Sequence, residues 1–157
     1  MKRSERQEER DAYHEAGHAV VTVFLGLRLH AISIKRDDAH STHRATKRDD
    51  MYWLRNATIA YGGAEAERRL CGPRSRWRAG AGDDLWRAYH ALEEITVDPP
   101  SLRALQTYAM RQARLLVERH WPEIEALARL LLERKTVTGK EATKLVQERW
   151  GRRGETR

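Results

Sequence analysis

The sequence predicts a mainly α fold, a helical domain with a small β element near residues 29–46 and a C-terminal helical bundle. Three observations predict it. Apolar residues recur at three- and four-residue spacing along most of the chain, as the buried stripe of a helix requires. Alternation of the strand kind is confined to one short stretch around Leu29, Ile32 and Ile34. Gly26, Gly72-Pro73, Pro99-Pro100, Pro122 and the pair Thr138 and Glu141 punctuate the helical pattern where helices stop or start. With 157 residues the chain has the length of one domain. Its 34% of charged residues exceeds the roughly 25% of an average soluble domain. The 40% of hydrophobic residues still supplies one modest core.

The elements follow in order. Tyr13, Ala16, Gly17, Val20, Val21 and Phe24 place one helix over residues 5–25, stopped near Gly26. Residues 27–35 read as a half-buried strand, and the charged stretch after it holds a loop with a weak second strand at 41–46. Met51, Leu54, Ala57, Ala60, Tyr61, Ala64 and Leu70 give a second helix over 50–70. Gly62-Gly63 lies inside it, and each mid-helix glycine costs about 1 kcal/mol relative to Ala, so the pair predicts a kink or a close approach by another backbone. After a basic loop, Asp83 reads as the N-cap of a helix carrying Leu85, Trp86, Ala88, Tyr89, Leu92 and Ile95. Leu102, Leu105, Tyr108, Ala109, Leu116 and Val117 trace the next helix, and Pro122 opens another with Ile124, Leu127, Ala128 and Leu131 inward. Thr138 with Glu141 forms a capping-box pattern for a last helix through Trp150.

Composition excludes several classes. The single Cys71 rules out an intramolecular disulfide framework and any Cys-rich zinc module, so a metal here must be held by His and carboxylates. No stretch approaches eighteen uninterrupted apolar residues and no signal-peptide core follows the charged N-terminus, so a cytoplasmic protein without membrane contact is expected. The net charge of +7 permits contact with nucleic acid or acidic partners without requiring it.

His14-Glu15-Ala16-Gly17-His18 carries the chemistry. At 3.6 residues per turn the two histidines stand one turn apart on one helix face and can share a metal ion. Glu15 is offset by about 100° from His14, which suits a general base addressing an activated water rather than a ligand. Catalytic zinc takes three protein ligands and keeps one open position. Val21 and Phe24 occupy the Gly and His positions of the extended metzincin motif, so the third ligand must lie further along the chain. Glu65, Glu67, Asp83 and Asp84 are the candidates, and spacing does not choose among them.

Ala12-Tyr-His-Glu-Ala-Gly-His-Ala-Val-Val21, Ile59-Ala-Tyr-Gly-Gly-Ala-Glu-Ala-Glu67 and Gly80-Ala-Gly-Asp-Asp-Leu85 resemble, in order, three blocks of the peptidase domain of FtsH-type zinc proteases. The resemblance implies a metalloendopeptidase with zinc held by His14, His18 and Asp84 and with Glu15 as general base. It places Glu67 beside the metal, as a supporting group or alternative ligand. It also implies residues 1–98 as the zinc-peptidase core and 99–150 as the C-terminal helical part of the same domain, and residues 151–157, past the last helix, are expected to fray as a flexible tail.

The implied partners are a polypeptide substrate and further copies of the chain, since the family assembles as hexamers. The family couples its peptidase to an ATPase, yet no P-loop motif occurs here, so either the enzyme cuts peptides and loosely folded segments unaided or a separate ATPase or adaptor delivers its substrate. The competing reading is a catalytically inactive binding module acting through a basic surface on nucleic acid or an acidic protein. Arg74, Arg76, Arg78, Arg149, Arg152, Arg153 and Arg157 motivate it. No aromatic-interleaved nucleic-acid motif accompanies them, so nucleic acid is not the expected partner.

Overall fold

The computed structural model describes residues 4–35, 40–44, 48–72 and 82–154, with 40–44 described through its backbone. The described elements are α1 (Glu5–Phe24), β1 (Arg28–Ser33), β2 (His40–Arg44), α2 (Asp50–Cys71), α3 (Gly82–Glu93), α4 (Pro99–Arg119), α5 (Trp121–Arg134), β3 (Thr136–Thr138) and α6 (Gly139–Gly154). The mainly α expectation is met, and the small β element lies where alternation placed it. The basic loop 74–78 and Arg157 fall outside the described residues.

Local signals set most boundaries. Ser4 and Asp49 accept hydrogen bonds from Gln7 N and Tyr52 N and so cap α1 and α2. Asp98 caps α4, whose opening turn takes both prolines because their missing N–H groups would be unpaired there anyway. Thr138 Oγ1 accepts from Glu141 N while Glu141 Oε2 accepts from Thr138 N, the reciprocal box that opens α6. Two boundaries differ from expectation. Asp83 is in the first turn of α3, which starts at Gly82, so it is no N-cap. The last helix continues through Gly154, one turn beyond the Trp150 at which the sequence placed its end.

A third strand also went unseen in the sequence, because Thr136–Thr138 is too short for its alternation to stand out. The sheet order is β2-β1-β3, antiparallel throughout. Strict alternation would set Leu29 on the face opposite Ile32 and Ile34, yet all three are buried. The register shift between Leu29 and Ala31 explains this, since one extra residue on β1 changes the phase and brings Leu29 inward. Behind β1, a Cβ at Gly139 would run into the backbone carbonyl of Leu29, so only glycine lets α6 start this close to the sheet.

Helices α1 and α2 form the centre. Residues Ala12 through Thr22 of α1 and Ala57 through Glu67 of α2 are buried without a break, so neither helix has a solvent face at mid-length. One core lies on the far side of α1, where Ala16 and Val20 meet Leu127 and Leu131 of α5, Ile32 of the sheet and Val146 of α6. The other lies beyond α2, where Ala57 and Tyr61 meet Leu92 of α3 and Leu102 and Ala109 of α4. Thus α4 packs on α2 and α5 on α1, so the C-terminal helices brace the central pair from both sides. At the α1/α2 crossing a Cβ on Gly17 would stand 2.6 Å from the Gly62 carbonyl oxygen. The glycine pair therefore marks a close backbone approach, and α2 runs unbroken from Asp50 to Cys71.

A polar cluster closes the bottom of the first core. His120 stacks on Phe24 with centroids 3.5 Å apart, and the fully buried Glu123 pairs with Arg153 Nε at 3.3 Å. Burial, Arg119 and Arg153 push the His120 pKa down to about 4, despite Glu123 Oε2 lying 3.6 Å from its Nδ1. A ring whose folded pKa lies below the ordinary 6.5 is protonated first in the unfolded chain. Its contribution to stability is whole above about pH 6.5 and is lost as the pH falls through about 4. Thermal melts from pH 7 to pH 4 should therefore show a smaller fall in Tm for His120→Phe, which keeps the stack, than for the parent chain. Equal falls would show that His120 does not contribute.

Candidate metal centre

The crossing of α1 and α2 brings the motif histidines against the α2 backbone. His14 and His18 point from one face of α1, their rings 4.6 Å apart between centroids and nearly perpendicular. His18 Nδ1–H donates to the Ile59 carbonyl at 2.7 Å, and His14 Nδ1–H donates to Glu67 Oε1 at 2.9 Å. Both partners accept, so each Nδ1 carries its proton outward, and each Nε2 is left as the inward nitrogen that can give its lone pair to a metal. The space is so close that a Cβ on Gly63 would lie 2.5 Å from His18 Nε2 and 2.7 Å from His14 Nε2. Gly63 thus serves the two imidazoles, while Gly62 serves the helix crossing.

Asp84 completes the cluster from the first turn of α3. Its Oδ2 lies 2.8 Å from His14 Nε2 and 3.3 Å from His18 Nε2, and the two Nε2 atoms are 2.9 Å apart. Among the described residues these three are the group able to hold a metal ion. With each ring's other nitrogen already committed, the three atoms facing one another in this buried place must share either a proton or a metal cation. Tetrahedral zinc with bonds of about 2.0–2.1 Å sets its ligands about 3.3 Å apart, so a small outward relaxation of the triangle accommodates the ion. The donor set, two imidazoles and one carboxylate, suits zinc.

The electrostatics agree. Burial alone would lower the His14 pKa, but its bonds to Asp84 and Glu67 outweigh that and push it up to about 10. Burial likewise opposes ionisation of Asp84, yet His14 and His18 hold its carboxyl well below the usual carboxylate range. Glu67 is also held low, burial being overcome by His14 and Arg10. The cluster stabilises positive charge at its centre and negative charge around it.

The other candidates fall into distinct places. Glu15 is buried and lines the same cavity as the cluster without belonging to the converging triangle. Glu67 faces the back of the His14 ring. Glu65 turns away to bond Arg68 Nε at 2.6 Å, and Asp83 lies exposed on the cavity rim. Sequence reasoning passed over Arg10, whose Nη2 donates to Glu67 Oε2 at 2.8 Å. The available signal was its position one turn ahead of His14 on the same face of α1.

No family model matches the chain. The chain is similar to the ATP-dependent zinc metalloprotease FtsH 1 of Symbiobacterium thermophilum, with 31% identity over 176 aligned residues. The alignment takes in 88% of this chain and 29% of that protein, so the chain spans less than a third of its relative's length. That relative is a zinc metalloprotease by name, and the match takes in most of the present chain.

The cavity in front of the cluster measures about 550 Å³. Trp53, Asn56, Trp86, His90 and Ala91 form its walls, and Trp86 is 64% exposed at the rim. An aromatic, open-sided cleft of this size can hold several atoms of an extended chain against the cluster. No helix among the described residues is long and apolar enough to cross a membrane. Of the arginines suggesting a basic docking surface, Arg153 is engaged internally, bonded to Glu123 and the Arg119 carbonyl and placed over Trp150.

Proposed function

We propose that the chain is a zinc-dependent endopeptidase in which His14, His18 and Asp84 hold the metal and Glu15 is the general base. The observation that carries this reading is the convergence of His14 Nε2, His18 Nε2 and Asp84 Oδ2 within 3.3 Å beside a cleft. The similarity to a zinc metalloprotease over 88% of the chain supports it. Zinc at such a site acts as a Lewis acid, lowering the pKa of a water towards about 7 and polarising the scissile carbonyl.

The protein's own groups do the rest. The outward hydrogen bonds of His14 and His18 fix both rings in the tautomer that keeps Nε2 available. Glu15, next to His14 and shielded from solvent, accepts the proton of the attacking water and returns it to the leaving amine nitrogen. Trp53 and Trp86 line one side of the cleft and give an extended peptide apolar surface to lie on. Strand β1 cannot offer an edge over residues 31–33, because β2 and β3 pair with it there on both sides. A substrate that adds a strand would therefore use one of the two outer strands, β2 or β3.

Incubating the purified protein with unfolded casein tests the reading. Hydrolysis that stops with a strong chelator and returns with added zinc is the expected result, and no hydrolysis by zinc-loaded protein contradicts it. The third ligand is tested alongside. Asp84→Asn should weaken zinc affinity at least about tenfold, whereas Asp83→Asn and Glu67→Gln should weaken it less. The reverse order would assign the third ligand elsewhere. A homo-oligomer and a separate ATPase or adaptor that delivers folded substrates belong to the same proposal.

A further inference from the structure

Glu67 is the side chain whose behaviour decides what kind of site this is. It is a buried carboxylate beside His14, and an unrestrained carboxylate there could compete with Asp84 for a metal. In the structure its two oxygens are divided between two partners. Oε1 accepts from His14 Nδ1 at 2.9 Å, and Oε2 accepts from Arg10 Nη2 at 2.8 Å. Arg10 and His14 are one turn apart on α1, so α1 grips the α2 carboxylate from both sides. The Glu67 side chain is 7% exposed and that of Arg10 33% exposed, so this charge-assisted bond is shielded from water on the carboxylate side.

We infer that Arg10 is a positioning residue that holds Glu67 as the orienter of the His14 ring and keeps it from serving as a metal ligand. The inference rests on the metal-centre reading. By occupying Oε2, Arg10 leaves Glu67 one free direction, towards His14 Nδ1. A carboxylate so held fixes the ring's rotation and its tautomer, and Nε2 then points at Asp84 and His18. Without the guanidinium, Glu67 is a buried anion with only the imidazole to neutralise it. It would then turn towards the nearest positive charge, which in the loaded protein is the metal.

Arg10→Met tests this, with Arg10→Lys as the conservative variant. In the full chain loaded with cobalt(II), whose visible absorption reports coordination number, the parent protein should give the intense bands of a four-coordinate site. Arg10→Met should give the weaker bands of a higher-coordinate site and a zinc affinity lower by about tenfold. Arg10→Lys should restore most of both, because a point charge can still hold Oε2. The second measurement uses metal-free protein. Imidazole ¹H–¹⁵N spectra should show the His14 Nδ1–H signal lost or shifted in Arg10→Met. The His18 Nδ1–H signal, held by the Ile59 carbonyl, should stay in place as internal control.

An unchanged cobalt spectrum, zinc affinity and His14 signal in Arg10→Met would overturn the inference. So would equal disturbance of His14 and His18, which marks a general loss of structure. If the parent chain binds neither metal while the His14 signal still responds selectively to Arg10→Met, the metal centre falls and the positioning role of Arg10 stands.

Discussion

Glu15→Gln is expected to lower peptide hydrolysis by about 10²–10⁴-fold while zinc remains bound at the parent's stoichiometry. The two halves of this result come from different places in the structure. Glu15 is 8% exposed, so its carboxylate is shielded enough for proton transfer to matter, and it lines the cleft into which the cluster opens. It is not one of the three side chains whose lone pairs converge, so the amide should leave the affinity for metal intact. Gln has nearly the same shape, so the packing around this buried position should stay unchanged. Turnover of a quenched casein substrate, measured beside the zinc content of the same sample, checks both halves. Activity equal to that of the parent would exclude Glu15 as the base, and loss of zinc with activity would make it part of the cluster.

The second large effect is expected at Gly63. In an ordinary helix a Gly to Ala change gains about 1 kcal/mol of helix propensity. Here the new methyl group would sit 2.5 Å from His18 Nε2 and 2.7 Å from His14 Nε2, in the space both rings use. Helix α2 cannot retreat easily, because Ala57 and Tyr61 pack against α3 and α4 on its other side. The rings must turn instead, which breaks their bonds to Ile59 and Glu67 and scatters the Nε2 atoms. Gly63→Ala should therefore lose zinc at least about 100-fold more readily in competition with a chromophoric chelator, and overpacking should cost about 1–3 kcal/mol of stability. Gly151→Ala, with nothing within 4 Å, serves as the control and should be neutral or mildly stabilising. Full zinc retention in Gly63→Ala would show that the rings do not lie against α2 as described.

What could be read beforehand, and what could not, follows from the same residues. Long helices were legible because their punctuation is local: Pro99 and Pro100, Asp98, and the Thr138 and Glu141 pair act within one turn of themselves. The motif histidines were legible because a helix fixes the i, i+4 relation whatever the tertiary structure. The third strand was not, since its three residues gain their conformation from β1. Nor was the depth of α1. Its apolar spacing described one face, but the opposite face is buried too, covered by a second helix through Gly17, Gly62 and the polar cluster itself. A polar side that turns out to be interior cannot be told from a solvated one by periodicity. The choice among Glu65, Glu67, Asp83 and Asp84 likewise depended on which carboxylates meet His14 and His18 across separate helices. Only the packing of α1, α2 and α3 supplies that.

Zinc K-edge X-ray absorption on the purified full chain tests the central claim most directly. A single zinc per chain with a shell of nitrogen and oxygen at about 2.0–2.1 Å, and outer-shell scattering from two imidazole rings, is the predicted result. A sulfur neighbour at about 2.3 Å, which only Cys71 or a methionine could provide, or a spectrum without imidazole scattering, would contradict the account.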